Sequence, residues 1–328
     1  MIILRTYQDE SIQLLRESFK KHKRILLVQP TGSGKTIVFS QMVKMAYDKG
    51  TQVLIATNRV ELFSQTLKVI SQHGINPQIV TANTKSFSKD APVTICMVET
   101  LTRRIKTWKD ISYSPKLLII DEAHLGNFFK LIDAFPLASC IGATATPINK
   151  RLCLYYTDIV QNIDVAELVE QGFLCKCKGF MMQDDFSDVK ITRGDYDEKQ
   201  LFKHFDTKVL YKGVVDKYKE KCMGEKTLVF NVSIEHANKM NKEFNDAGIH
   251  SEVVTSETHP DERKKIFSDF DAGHFPVLNN CSIATFGVDI PSLRVVIMNR
   301  ATKSTALWLQ CLGRGSRPYP GKTHFTCL

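Results

Sequence analysis

The feature that most restricts the fold is a series of short apolar runs separated by stretches of helical period. "RILLVQ", "QVLIATN", "VTICMV", "KLLIIDE" and "SCIGATATP", between residues 24 and 147, are short and apolar, as strands buried on both faces are. Between them, "GKTIVFSQMVKMAYDKG" and "RVELFSQTLKVISQHG" repeat apolar residues at three and four spacing and end at a glycine, the mark of a capped amphipathic helix. The alternation predicts a doubly wound parallel sheet. From about residue 149 to 224 it lapses, and "MMQDDFSDVKITRGDYDEKQ" reads as an irregular insertion. It then restarts with "TLVFNVS", "SEVVT", "FPVLNNC" and "RVVIMNR", so a second α/β lobe is expected, as suits 328 residues. We expect one domain over 1–150, a connecting segment and insertion over 151–225 that belongs to the second domain, and the rest of that domain over 226–328. "THFTCL" reads as a strand that stops, as in a fragment of a longer chain.

The first apolar run breaks into a glycine-rich turn, "QPTGSGKT", and resumes as a helix. Strand, loop and helix in that order make an anion site: backbone N–H groups and the helix N-terminus converge, Lys35 can neutralise phosphate, and the Thr36 hydroxyl can ligate Mg2+. Gln29 stands where the full phosphate-loop pattern has a glycine. At the end of the run "LLII" come Asp121 and Glu122, on the side of a parallel sheet where the phosphate loop also lies. Asp121 suits a Mg2+ ligand and Glu122 a base for the attacking water. The alternative is an acidic pair capping a helix. In "QCLGRGSR" Arg314 and Arg317 stand three apart, near one face if helical, and can stabilise charge on a γ-phosphate; a basic helix end is the plainer reading.

The excess of 44 Lys+Arg over 35 Asp+Glu, a formal +9, suits a polyanionic partner and equally a spread-out positive surface. No segment approaches the roughly 18 unbroken apolar residues of a membrane span. Nine scattered cysteines point to thiols in a reducing compartment, hence the cytoplasm, of the host if the protein is viral. Cys175 and Cys177 lack the second pair that a metal site needs.

With these residues in place the chain resembles a superfamily 2 helicase or translocase core along nearly its whole length. "LRTYQ" is similar to the Q motif, "PTGSGKT" to motif I, "ATNRVEL" to motif Ia, "DEAH" to motif II and "TAT" to motif III. In the second lobe "VFNVSIEHA" and "VVTSET" are similar to motif IV and its companion, "TFGVDIP" to motif V and "QCLGRGSR" to motif VI. The resemblance implies two RecA-like domains, each a parallel sheet flanked by helices, with the ATP site in the cleft between them. Motif I of this superfamily does not require the leading glycine.

By the same resemblance ATP and Mg2+ would be the cofactors. Arg5, Tyr7 and Gln8 would meet the adenine, and Thr31, Gly32, Ser33, Gly34, Lys35 and Thr36 the triphosphate and metal, with Asp121. Gly287 and Asp289 would approach the nucleotide from the second lobe. Gln310, Arg314 and Arg317 would complete the site on closure, beside Lys35, Asp121 and Glu122. Arg59, Thr100, Ser233, Thr255 and Thr285 would hold a nucleic-acid backbone, and Thr144 and Thr146 would couple the two sites; capping of strand ends is the alternative for the hydroxyl residues. The form of motifs V and VI looks closer to bacterial and phage DNA repair, recombination and branch-migration helicases. A monomeric motor on forked or branched DNA is therefore expected, with an RNA helicase, a duplex translocase and a protein-moving ATPase as the alternatives.

Overall fold

A computed structural model describes residues 2–328 apart from 59, 85, 111, 126–127, 182–184, 193 and 285–288, and apart from the side chains of 60–61 and 106–110. The chain forms two compact units, Met1–Glu167 and Leu168–Leu328. The first runs α1 (Thr6–Ser18), β1 (Arg24–Val28), α2 (Lys35–Asp48), β2 (Val53–Thr57), α3 (Val60–Gln72), β3 (Gln78–Val80), β4 (Val93–Met97) and α4 (Val98–Asp110). It continues through β5 (Leu117–Asp121), α5 (Phe128–Ala134), β6 (Ser139–Thr144), α6 (Leu152–Tyr155) and β7 (Asp158–Val160), and α7 (Val165–Glu170) crosses the division between the units.

All pairings in the first sheet are parallel, in the order β3-β4-β2-β5-β6-β1-β7. The two-residue repeat of a strand sends Leu26, Leu54 and Leu118 into one core and Ile25, Leu27, Val53 and Ile119 into the other. Both faces are therefore dry, which is why apolar residues stand on both faces of these strands. The domain boundary needs correction. Residues 158–160, expected in the second domain, pair with Ile25–Leu27 at the edge of the first sheet, and the first unit extends to Glu167. The segment is too short and polar to stand out as a strand in the sequence.

The second unit comprises β8 (Lys176–Gly179), β9 (Ile191–Thr192), β10 (Asp195–Tyr196), α8 (Glu198–Phe205), α9 (Lys208–Cys222), β11 (Thr227–Phe230), α10 (Ile234–Asp246) and β12 (Ser251–Val254). It ends with α11 (Pro260–Ala272), β13 (Val277–Asn280), β14 (Val295–Ile297), α12 (Thr305–Gly315) and β15 (His324–Cys327). Six parallel strands lie in the order β12-β13-β11-β14-β15-β8. Two parallel sheets flanked by helices match two RecA-like domains.

The irregular insertion has structure of its own. β9 and β10 form an antiparallel hairpin, and Val189 and Leu201 pack on Val232 with Phe186, Tyr196, Phe202 and Phe205 around them. All nine cysteines are free thiols, six of them buried. No helix among the described residues is long and apolar enough to cross a membrane.

Candidate nucleotide site

Neighbouring strands β1, β6 and β5 end side by side, and their carboxyl ends carry the glycine-rich loop, Thr144 and Asp121 respectively. The loop from Gln29 to Gly34 feeds α2, where Ile37 N and Val38 N donate to Gly34 O and the N–H groups of Lys35 and Thr36 open the first turn. Gly34 is the N-cap of α2, in the left-handed region at φ 87°. A Cβ there would lie 2.6 Å from Gln8 Nε2, so this position needs glycine on both counts. Lys35 and Thr36 stand half-buried on the first turn, while the Ser33 side chain is fully buried and its hydroxyl has no hydrogen-bond partner among the described residues.

The start of α1 is fastened to this loop. Gln8 Nε2 donates to Ser33 O at 3.0 Å and the Tyr7 hydroxyl donates to the same carbonyl. Arg5 Nη1 donates to the Tyr7 oxygen at 3.1 Å, and Gln8 Oε1 accepts from Arg5 N, capping α1. Tyr7 and Gln8 are 2% and 4% exposed, so the predicted adenine readers hold the phosphate loop from within the protein. Gln29 does a related job. Its amide donates to Ser11 Oγ at 2.6 Å, and that hydroxyl lies 2.7 Å from both Tyr7 O and Asn162 Oδ1. A glycine at position 29 would remove this link between β1 and α1.

Asp121 and Glu122 are both nearly buried. Burial first, then the charge of Glu122, pushes the Asp121 carboxyl well above its ordinary range, while Lys35 and the Glu122 amide pull it back. Glu122 turns the chain sharply, at φ 49°. The turn is held by Asn58 at the end of β2, whose amide donates to Asp121 O at 3.0 Å and Glu122 O at 3.3 Å. Two adjacent buried carboxyls beside one lysine need further positive charge if both are to be ionised. That need fits a divalent cation, with Asp121 and Thr36 as the residues to hold it.

His124 joins this site to β6. Its Nδ1 lies 2.8 Å from Thr144 Oγ1 and 3.3 Å from Glu122 Oε2, and burial lowers its pKa. Thr144 Oγ1 also accepts from Thr146 N at 3.0 Å, and Asn149 Nδ2 donates to His124 O. Thr146 is buried, and its hydroxyl has no hydrogen-bond partner among the described residues. Asn58 and Asn149 escaped sequence reasoning; the available signal was an amide just beyond a strand that borders an acidic strand end.

In the second unit Gln310 and Arg314 are buried on α12. Arg317 lies beyond the helix, which ends at Gly315, so the two arginines do not share a helical face as their spacing suggested. Phe325 of β15 fills the space beside Gly315, where a Cβ would come within 2.3 Å of the ring, so this position needs glycine, and Pro318 disfavours helical backbone at Arg317. Arg317 Nη1 pairs with Asp289 Oδ1 at 2.6 Å, so these two predicted site residues meet within one unit.

The predicted nucleic-acid residues divide. Ser233 caps α10, accepting from His236 N, and Thr255 Oγ1 accepts from Glu257 N. Both therefore cap turns after strands, and Thr255 is only 5% exposed. Thr100 is half-buried on the first turn of α4. Arg59, Thr285 and Gly287 lie outside the described residues.

Residues 1–149 match the family described as "Type III restriction enzyme, res subunit", and residues 208–318 match "Helicase conserved C-terminal domain". The chain is 33% identical to the protein named ATP-dependent helicase IRC3 of Saccharomyces cerevisiae, over 98% of its own length and 50% of that protein's. It spans 50% to 64% of the length of three curated relatives. A fragment of an HsdR subunit of a type I restriction enzyme from Vibrio vulnificus YJ016 has the same fold, with a TM-score of 0.81 at 22% identity, covering all of this chain and 64% of that one. The restriction-modification enzyme LlaBIII, bound to DNA, gives 0.75 at 17% identity, covering all of this chain and 28% of that one.

Proposed function

The chain belongs to the superfamily 2 helicases and translocases, and from that premise we propose that it is an ATP-driven motor on DNA. The carrying observation is that the glycine loop with Lys35 follows β1 and the Asp121–Glu122 pair ends β5, at the carboxyl ends of strands separated only by β6. An anion site and a buried acidic pair thus share the carboxyl end of one sheet. Gly32, Gly34, Lys35 and Thr36 receive the triphosphate of ATP, and Thr36 and Asp121 hold Mg2+, which when bound offsets the phosphate charge. Glu122 orients the attacking water and takes its proton. We assign Gln310, Arg314 and Arg317 to the charge that develops on the γ-phosphate, with Asp289 fixing Arg317. His124, Thr144 and Thr146 relay the state of the site to the strand-holding surface.

DNA is favoured over RNA on the restriction-enzyme likeness and on the form of "QCLGRGSR". We place the protein in the cytoplasm, in repair or recombination, with forked or branched DNA as substrate. The test is steady-state ATP hydrolysis with no nucleic acid, single-stranded DNA, forked DNA and matched RNA. Strong stimulation by DNA that vanishes in Glu122→Gln is the expected result. RNA-selective stimulation would move the protein to an RNA helicase role, and no response to any nucleic acid would sink the reading.

A further inference from the structure

Beyond motif VI the sequence reads "RPYPGKTHF". Two prolines and Gly321, at φ 71°, turn the chain back after α12 before β15 begins. Lys322 N donates to Tyr319 O and Arg294 Nη2 to Gly321 O, which closes the turn. The turn directs the Lys322 side chain inward, where the residue is only 7% exposed. Its ammonium donates to Arg317 O at 2.8 Å and to Pro291 O at 3.1 Å.

Those two carbonyls belong to the segments that carry the Arg317–Asp289 ion pair: Arg317 itself, and the loop two residues beyond Asp289. The same two segments are thus joined twice, by the side chains of Arg317 and Asp289 and by the backbone through Lys322. Cys175 braces the junction, its N–H donating to Ser316 O at 2.6 Å and its thiol lying 3.5 Å from Arg317 O.

A buried ammonium is an expensive filler, and a methionine of similar length would pack there without the desolvation cost. Burial does draw the Lys322 amine down to about 8, with the Cys175 thiol acting the other way. What methionine lacks is the ability to hold two carbonyls at once.

We propose that Lys322 is a positioning residue for ATP hydrolysis, fixing the backbone on either side of the Arg317–Asp289 pair so that the guanidinium is presented in one orientation. The proposal rests on the reading that Arg317 acts on the triphosphate. Lys322→Met is expected to lower kcat roughly ten- to a hundredfold, the scale of a misplaced catalytic group, with little change in KM for ATP. In an Arg317→Ala background the same substitution should cost nothing further, whereas a merely structural lysine would cost the same in both backgrounds.

Hydrogen exchange gives a readout independent of activity. The non-proline amides within 289–293 and 313–317 should exchange faster in Lys322→Met while those within 24–40 stay unchanged. Should the methionine variant fail to fold, Lys322→Gln, which keeps a donor for one carbonyl, carries the same measurements. A wild-type chain without ATPase activity would remove the motor reading and the catalytic role with it, yet leave the exchange result as a test of the clamp. Unchanged exchange, or an equal loss of kcat in both backgrounds of an active enzyme, would overturn the proposal.

Discussion

Replacing Gly34 with alanine tests how the phosphate loop is held. At φ 87° an L-residue meets the left-handed penalty, about 1 kcal/mol. The new methyl would also sit 2.6 Å from Gln8 Nε2, closer than real contacts allow. Because that atom ends a flexible side chain, the clash is relieved by moving Gln8, and what is lost is its bond to Ser33 O, worth about 1 kcal/mol net. Gly34→Ala should therefore destabilise the first unit by about 2 kcal/mol, read as a shift of its transition in urea unfolding followed by far-UV circular dichroism. In a Gln8→Ala background only the backbone penalty should remain, a coupling of about 1 kcal/mol. A loss below about 0.5 kcal/mol, or an equal loss with and without Gln8, would refute the view that Gln8 and the loop are one unit.

Two further outcomes follow from buried polar groups. Thr144→Val removes the acceptor of Thr146 N and the partner of His124 Nδ1, and should cost about 1–3 kcal/mol, largely restored in Thr144→Ser; urea midpoints of the three proteins decide it. His236 is held at about 4, chiefly by burial, against an ordinary 6.5, with Asp206 raising it and Lys239 lowering it. The folded state thus binds fewer protons than the unfolded one between those values. This contribution is complete above the ordinary pKa and is lost as pH falls toward the folded one, a swing of roughly 3 kcal/mol. Unfolding of the second unit at pH values on either side of that window should show the slope, and His236→Gln should flatten it.

The fold was legible because β1, β2, β4, β5 and β6 are buried on both faces and so are dominated by apolar residues. β3, β7 and β8 were not, because short strands at or beside a sheet edge need no such purity: Lys176–Gly179 is exposed throughout, and Gln78 and Asp158 are only half-buried. The hairpin of β9 and β10 escaped for the same reason, since two-residue strands carry no period. At the site, the spacing of Arg314 and Arg317 suggested one helical face, but α12 ends at Gly315, between them, and Pro318 was the sequence signal for that end.

A motif string identifies where polar residues gather but not whom each one serves. Gln8, Gln29, Thr144, Ser233 and Thr255 all spend hydrogen bonds on the protein's own backbone or side chains. Lys35, Thr36, Asp121 and Glu122 are the residues we propose for the ligand. The difference follows from depth. Loops that leave buried parallel strands must satisfy their backbone groups without water, so the nearest amide or hydroxyl is recruited for the purpose, while adjacent carboxyls at a strand end need an ion of opposite sign if both are to be ionised. Lys322 extends the same logic beyond the motif, because a chain that must hold Arg317 rigid needs donors for the carbonyls behind it.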